Sequence, residues 1–250
     1  MKKAILLCGM LLAVTASLAS AAAGTNLRWA LCFGDAGTIN KAFVCNTNLG
    51  SNVLVSSYVV GSDMIATSGQ ETVYDIAAAG ATLPAWWQFK NVGTCRSTAL
   101  TMDFVGTGTN CPDWATGQSA GGIGAYQLGV KGANTARIVA AIAVPASALA
   151  DQFAGQEYFS NNIRISNVKT VGTGLCAGCT TPVCIVFNSI NVVTQIAAND
   201  RKYSGATNGT DSNFVTWQGG AGVTSNLGSG CPAATPTRST TWSSVKSLYR

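Results

Sequence analysis

The stretch NLRWALCF, residues 26 to 33, places apolar side chains at Leu27, Trp29, Leu31 and Phe33 and polar ones at Asn26 and Arg28. Successive side chains of an extended chain leave on opposite faces. A two-residue period therefore specifies a strand with one face on a core and the other in water. The period returns in STALTMDFV through Leu100, Met102 and Phe104, and in YFSNNIRISNV through Phe159, Ile163 and Ile165. Segments 52–60, 71–76, 84–90, 136–144, 183–193 and 213–217 are also rich in β-branched and aromatic residues. The run from Val183 to Phe187 is apolar on both faces, which places it centrally in a sheet.

Only PASALADQFAG, residues 145 to 155, carries a helical stripe, capped by Ser147 and ended by Gly155. Many strands with no intervening helices argue against a parallel α/β sheet and for two packed antiparallel sheets. The expected fold is all-β: an antiparallel β-sandwich of jelly-roll or immunoglobulin-like type, disulfide-stabilised, with barrel closure as the alternative. Residues 106–132 are too rich in glycine and small polar residues for a core. They read as a long Gly-rich loop pinned by Cys111, Trp114 and Tyr126.

The chain opens with Lys2 and Lys3, an apolar run and small residues from Ala19 to Ala23, the form of a secretory signal peptide over 1–23. Cys8 lies inside that run and is expected to leave with it. One sandwich domain is expected over 24–231, with a C-terminal tail over 232–250. Beyond the signal no stretch holds the ~18 uninterrupted apolar residues of a spanning helix. The protein is thus expected to be exported, either secreted or at the cell surface. Its net charge of +5 includes Lys2 and Lys3 and is otherwise scattered, which argues against a nucleic-acid partner.

The exported part keeps eight cysteines: Cys32, Cys45, Cys95, Cys111, Cys176, Cys179, Cys184 and Cys231. An even number in an oxidising compartment reads as disulfides. The cluster TVGTGLCAGCTTPVCIVF does not give two separated CxxC knuckles for zinc. A proline and a β-run follow CAGC, where a redox motif needs a helix start. Closing the shortest loops first pairs Cys32 with Cys45 and Cys95 with Cys111. The last four are expected as Cys176–Cys179 and Cys184–Cys231, although sequence leaves three arrangements open.

The chain has no histidine, which removes Ser-His-Asp and Cys-His catalysis, histidine metal sites and a switch near neutral pH. A carboxylate pair, Glu71 with Glu157 or Glu157 with Asp151, is the remaining hydrolytic candidate. Solvated strand ends and turns are the simpler reading, and no catalytic residue, metal or cofactor is expected. In LPAWWQFK an extended backbone sends Trp86 and Trp87 to opposite faces, so one is expected in the core. The other is a candidate sugar- or partner-binding surface, supported by Gln88, Asn91 or Arg96, although the plainer reading covers both, one by the sheet and one by the Gly-rich loop. Asp35, Asn40 and Asn46, or Asp200, Asn208, Asp211 and Asn213, supply oxygens that calcium could use, but without EF-hand spacing; Asx turns explain them as well.

LPAWWQFKNVGTCR, the CAGCTTPVCIVFNSI block and the closing TWSSVKSLYR resemble a group of secreted, cysteine-rich proteins of environmental bacteria over most of the exported chain. The resemblance implies export and sulfur bridging but no activity. The aromatic and basic ending is also similar to C-terminal sorting sequences. The expected function is a non-catalytic secreted or surface module with a structural or binding role. A carbohydrate-binding module with an exposed tryptophan and a subunit of an extracellular assembly are the rivals. The expected partner is an extracellular glycan, a protein, or further copies of the chain.

Overall fold

A computed structural model describes residues 22–106 and 110–223, and strands dominate them. Numbered in chain order, β1 (Gly24–Trp29), β3 (Ser51–Val59), β9 (Glu157–Ser166) and β5 (Leu100–Asp103) form an antiparallel sheet in the order β1-β3-β9-β5. A larger sheet runs β2 (Asn40–Lys41), β12 (Phe214–Trp217), β10 (Val183–Thr194), β4 (Met64–Ala78), β7 (Thr135–Ala143) and β6 (Ala120–Leu128). The short strands β8 (Ala150–Gln152) and β11 (Arg201–Ser204) add to β4 and β10. All the strand pairs are antiparallel except β2 with β12. The doubly apolar run at Val183 lies centrally, between β4 and β12.

The sheets pack face to face, as an all-β sandwich does. Leu54, Tyr58, Leu100, Ile163 and Ile165 of the smaller sheet share one buried cluster with Tyr74, Ile76, Ile138, Ile185 and Phe187 of the larger. The Tyr74 and Phe187 rings stack at 4.5 Å. Burying each such aliphatic or phenyl side chain contributes about 1.5–3 kcal/mol. The core also holds a polar network. The Tyr58 hydroxyl donates to Gln152 at 2.8 Å, the Ser160 hydroxyl donates to Gln70 at 2.7 Å, and Tyr74 Oη lies 2.9 Å from both Ser56 Oγ and Asn161 Oδ1. The hydroxyls and amide oxygens tolerate burial because they find partners there, while the amide nitrogens of Gln152 and Asn161 are left without one.

Four local expectations are corrected. β1 has no wet face: Asn26 and Arg28 are buried because residues 205–214 cross over them. Leu27 N donates to Ser212 O at 2.7 Å, and Arg28 Nη1 donates to the carbonyls of Asp211, Ser212 and Phe214. Residues 84–90 form a 3-10 turn at Ala85–Trp87, entered from Pro84 at φ −68°, not a strand. The helical candidate shrinks to the turn Ala146–Ala148 and then becomes β8. The expected Gly-rich loop contains β6, an edge strand mostly exposed on both faces and so lacking an alternating signature. Its glycine has a use: a Cβ on Gly121 would stand 2.1 Å from the Ala141 carbonyl oxygen of β7. Residues 1–21 of the expected signal and the tail 232–250, with Cys8, Cys231 and Trp242, lie outside the described residues.

Candidate functional site

Register places three loops at one end of the sandwich. Ser51 pairs with Ser166, Ala78 with Val183, and Lys41 with Trp217, so loops 42–50, 79–99 and 167–182 emerge together. Two disulfides join them: Cys45–Cys179, across 134 residues, and Cys95–Cys176, across 81. Hydrogen bonds complete the join. Asn48 Oδ1 accepts from Thr170 N at 2.8 Å and Val171 N at 3.0 Å, Asn167 Nδ2 donates to Leu49 O at 2.8 Å, and Lys169 Nζ donates to Cys95 O at 2.8 Å. A third bridge, Cys32–Cys111, spans 79 residues and packs on Val55 and Phe159. That packing lies on the opposite side of the smaller sheet from the main core.

Oxidised cysteines were expected, but their pairing was not. Cys32–Cys45, Cys95–Cys111 and Cys176–Cys179 do not form. Nearness in sequence misleads here because sheet order, not loop length, brings the thiols together. The CAGC turn packs on the tryptophan turn: Gly178 has φ +106°, and a Cβ there would lie 2.2 Å from Pro84 Cβ. Cys176 and Cys179 consequently reach different loops. Cys184 is disulfide-bonded, and the expected bridge to Cys231 extends outside the described residues.

Beneath this staple lies an aromatic block. A 3-10 turn advances about 120° per residue rather than the 180° of a strand, so neighbours can face the same core. Trp86 and Trp87 are both fully buried, with ring centroids 5.1 Å apart, and both contact Trp217, at 5.2 and 5.5 Å. This corrects the expected tryptophan surface, which is absent from the turn. Gln88 Nε2 donates to Leu83 O at 2.8 Å, closing the same turn. Arg96, 1% exposed, lays its guanidinium 3.5 Å from the Trp86 ring centre and donates to the carbonyls of Trp86 and Ser166. Ring faces and carbonyl dipoles serve the charge, while burial lowers its pKa to about 9. Trp86, Trp87, Gln88 and Arg96 are thus brought together as internal support for the stapled end.

A surface cleft of about 310 Å³ opens beside that end. Trp29, Asn52, Asn162, Arg164, Ser51 and Lys41 are among its walls. Asp103 positions two of them, accepting from Arg164 Nε and, at 2.8 Å, from Asn162 Nδ2. Asn52 Nδ2 donates to Asn167 Oδ1 at 2.8 Å. Sequence reasoning missed this cleft because β1, β2, β3 and β9 contribute to it from four distant segments. It offers amide, hydroxyl and cationic groups suited to a small polar ligand.

The carboxylate candidates have separate, ordinary duties. Glu157 accepts from Gly34 N at 2.9 Å, from Asn26 Nδ2 at 3.4 Å and from the Ser57 hydroxyl. Glu71, on the other sheet, is raised in pKa by burial against the opposing pull of Asn191 and Lys202. Asp151 accepts from Ala66 N at 2.9 Å, closing a turn. Much of the oxygen in the oxygen-rich loops is spent likewise, although the buried Asn213 side chain has no hydrogen-bond partner. Asp35 accepts from Asn110 N, Asn40 accepts from Gly219 N, and Asn208 Oδ1 takes the amides of Thr210, Asp211 and Ser212. Among the described residues no three of His, Cys, Asp and Glu gather as metal ligands, and no helix is long and apolar enough to cross a membrane. No protein-family model, curated protein or solved structure matches the chain.

Proposed function

We propose that the chain is a non-catalytic module acting outside the cytoplasm, in a structural or binding role, with the stapled end as its working face. One observation supports this most: disulfides join segments 79, 134 and 81 residues apart, and two of them converge on a single end. Such bridges persist where thiols are oxidised. They hold exposed loops in one shape, as a binding face requires. The test is alkylation and non-reducing peptide mapping of the protein recovered from each fraction of expressing bacteria. The expected result is a chain trimmed near Gly24, found outside the cytoplasm, with Cys95–Cys176 and Cys45–Cys179 peptides intact. Untrimmed cytoplasmic protein with alkylatable Cys95 and Cys176 would defeat the proposal.

The polar cleft favours a second reading, recognition of a saccharide without a tryptophan platform. Titration with neutral and acidic oligosaccharides tests it. Binding that Arg164→Ala weakens tenfold or more supports the cleft, since a hydrogen bond to a charged group contributes about 1.5–3 kcal/mol. Heatless titrations with both classes would remove it.

A further inference from the structure

The loops of the stapled end carry large aliphatic side chains on the outside. Val44 and Leu49 are 78% and 81% exposed, Val92 is fully exposed, and Val168 and Leu175 are exposed as well. Segments 41–50, 88–99 and 166–182 contain no Asp or Glu. Their charged residues are Lys41, Lys90, Arg96 and Lys169, and of these Lys90 and Lys169 are exposed. Both lysines have left-handed backbones, at φ 60° and 59°, a conformation that non-glycine residues adopt only when their surroundings impose it.

We propose that this end docks on an anionic lipid surface. The aliphatic side chains enter the headgroup layer, and the lysines meet the lipid phosphates. Composition separates this partner from a protein. Protein interfaces are enriched in aromatic residues and arginine and depleted in lysine, whereas here Phe89 and Arg96 are buried, Phe43 packs against the core, and the outside is valine, leucine and lysine. Exposed aliphatic groups beside cations, with no carboxylate, match the two-part attraction that holds peripheral proteins at a bilayer. Loops already fixed by Cys45–Cys179 and Cys95–Cys176 lose little freedom on docking. The far end supplies an internal contrast. Its exposed Ile65, Phe153 and Ile196 lie within a few residues of Asp63, Asp151 and Asp200, three carboxylates that such a surface repels and that outnumber the two exposed cations there, Arg201 and Lys202.

The experiment is co-sedimentation of the purified, oxidised protein with vesicles of phosphatidylcholine alone and with a quarter phosphatidylglycerol. The expected result is binding to the anionic vesicles that salt weakens, and little binding to the neutral ones. Lys90→Glu should weaken it about tenfold or more, since each lysine near such a surface contributes about 1 kcal/mol. Val92→Asp should weaken it by a similar factor through lost apolar burial, and Ile65→Asp should leave it unchanged. Near-UV circular dichroism confirms that each variant keeps its fold. Failure to bind anionic vesicles, equal binding to neutral ones, or equal sensitivity to Val92→Asp and Ile65→Asp overturns the proposal. So does a dimer abolished by Val92→Asp without vesicle binding, which would assign the face to a second copy. Because the assay uses purified protein, its outcome is independent of the export test.

Discussion

The two ends of the sandwich solve the same problem with different chemistry. At the far end aspartates close the short turns: Asp63 accepts from Ala154 N at 2.9 Å, Asp151 from Ala66 N at 2.9 Å, and Asp200 from Thr194 N at 2.8 Å, while the longer connection from β5 to β6 is pinned by Cys32–Cys111. At the stapled end loops 79–99 and 167–182 are long, and sulfur holds them. A carboxylate reaches one or two backbone amides of a nearby turn. It cannot confine a long loop, whose ordering cost grows with every residue fixed. A covalent link across a hundred residues removes that freedom from the unfolded chain instead. The difference also distributes charge unevenly: the far end mixes carboxylates with Arg201 and Lys202, whereas segments 41–50, 88–99 and 166–182 at the stapled end carry lysines and no carboxylate.

The largest expected effect comes from cutting a staple. Cys45→Ser with Cys179→Ser should cost about 4–5 kcal/mol in denaturant unfolding. Hydrogen exchange should rise first at 42–50 and 167–176, and equal opening around 63–66 would break the comparison. Trp87→Ala, removing a fully buried ring beneath the staple, should cost about 3–5 kcal/mol in the same assay.

Alkali should strike both ends together. Burial raises Tyr58 and Tyr126 well above 10 and Tyr74 to about 12. The folded state disfavours their ionisation, so their contribution is complete below pH 10 and is lost as pH rises toward 12. Tyr74 alone accounts for about 2–3 kcal/mol. Arg96 runs the opposite way: its folded pKa of about 9 lies below its ordinary 12.5, so it adds stability as pH rises between them. The three tyrosines are expected to outweigh it. Unfolding midpoints should hold to about pH 9 and fall beyond 10, with phenolate absorbance appearing as the protein unfolds.

Smaller effects belong to the far end and the surface. Asp200→Ala should cost about 1–2 kcal/mol and open only the turn at 194–200 by hydrogen exchange. Loss of the staple region as well would show that the ends are coupled. Val92→Asp should change stability by less than about 0.5 kcal/mol in thermal melts. A larger loss would mean that Val92 supports the loop rather than faces outward.

Strands were readable from alternation or from runs of β-branched and aromatic residues, and β3, β7, β9 and β10 overlap the expected segments, each extending one residue outside them. Length was less legible. β4 begins at Met64, where MIATSGQ has no apolar period, because β8 and the end of β10 pair with it there. β6 was illegible because an edge strand of glycine and small residues packs too little to impose a pattern. The tryptophan pair failed for a related reason: the two-face rule assumes an extended backbone, and Pro84 begins a turn instead. Of the candidate site, the stapled end was foreshadowed by its cysteines, but the cleft was not, since its walls come from four strands.

The amino-acid order by itself determined that strands would form, that they would build a layered sandwich, that sulfur would be bridged, and that histidine chemistry was excluded. These follow from local period and residue inventory, which the chain carries wherever it lies. Only the tertiary structure decided which thiols meet, that both adjacent indoles turn inward, and that lysines and aliphatics share one end whose described loops carry no carboxylate. Those outcomes depend on which strand ends the sheet order brings side by side, a non-local property that no window of sequence contains.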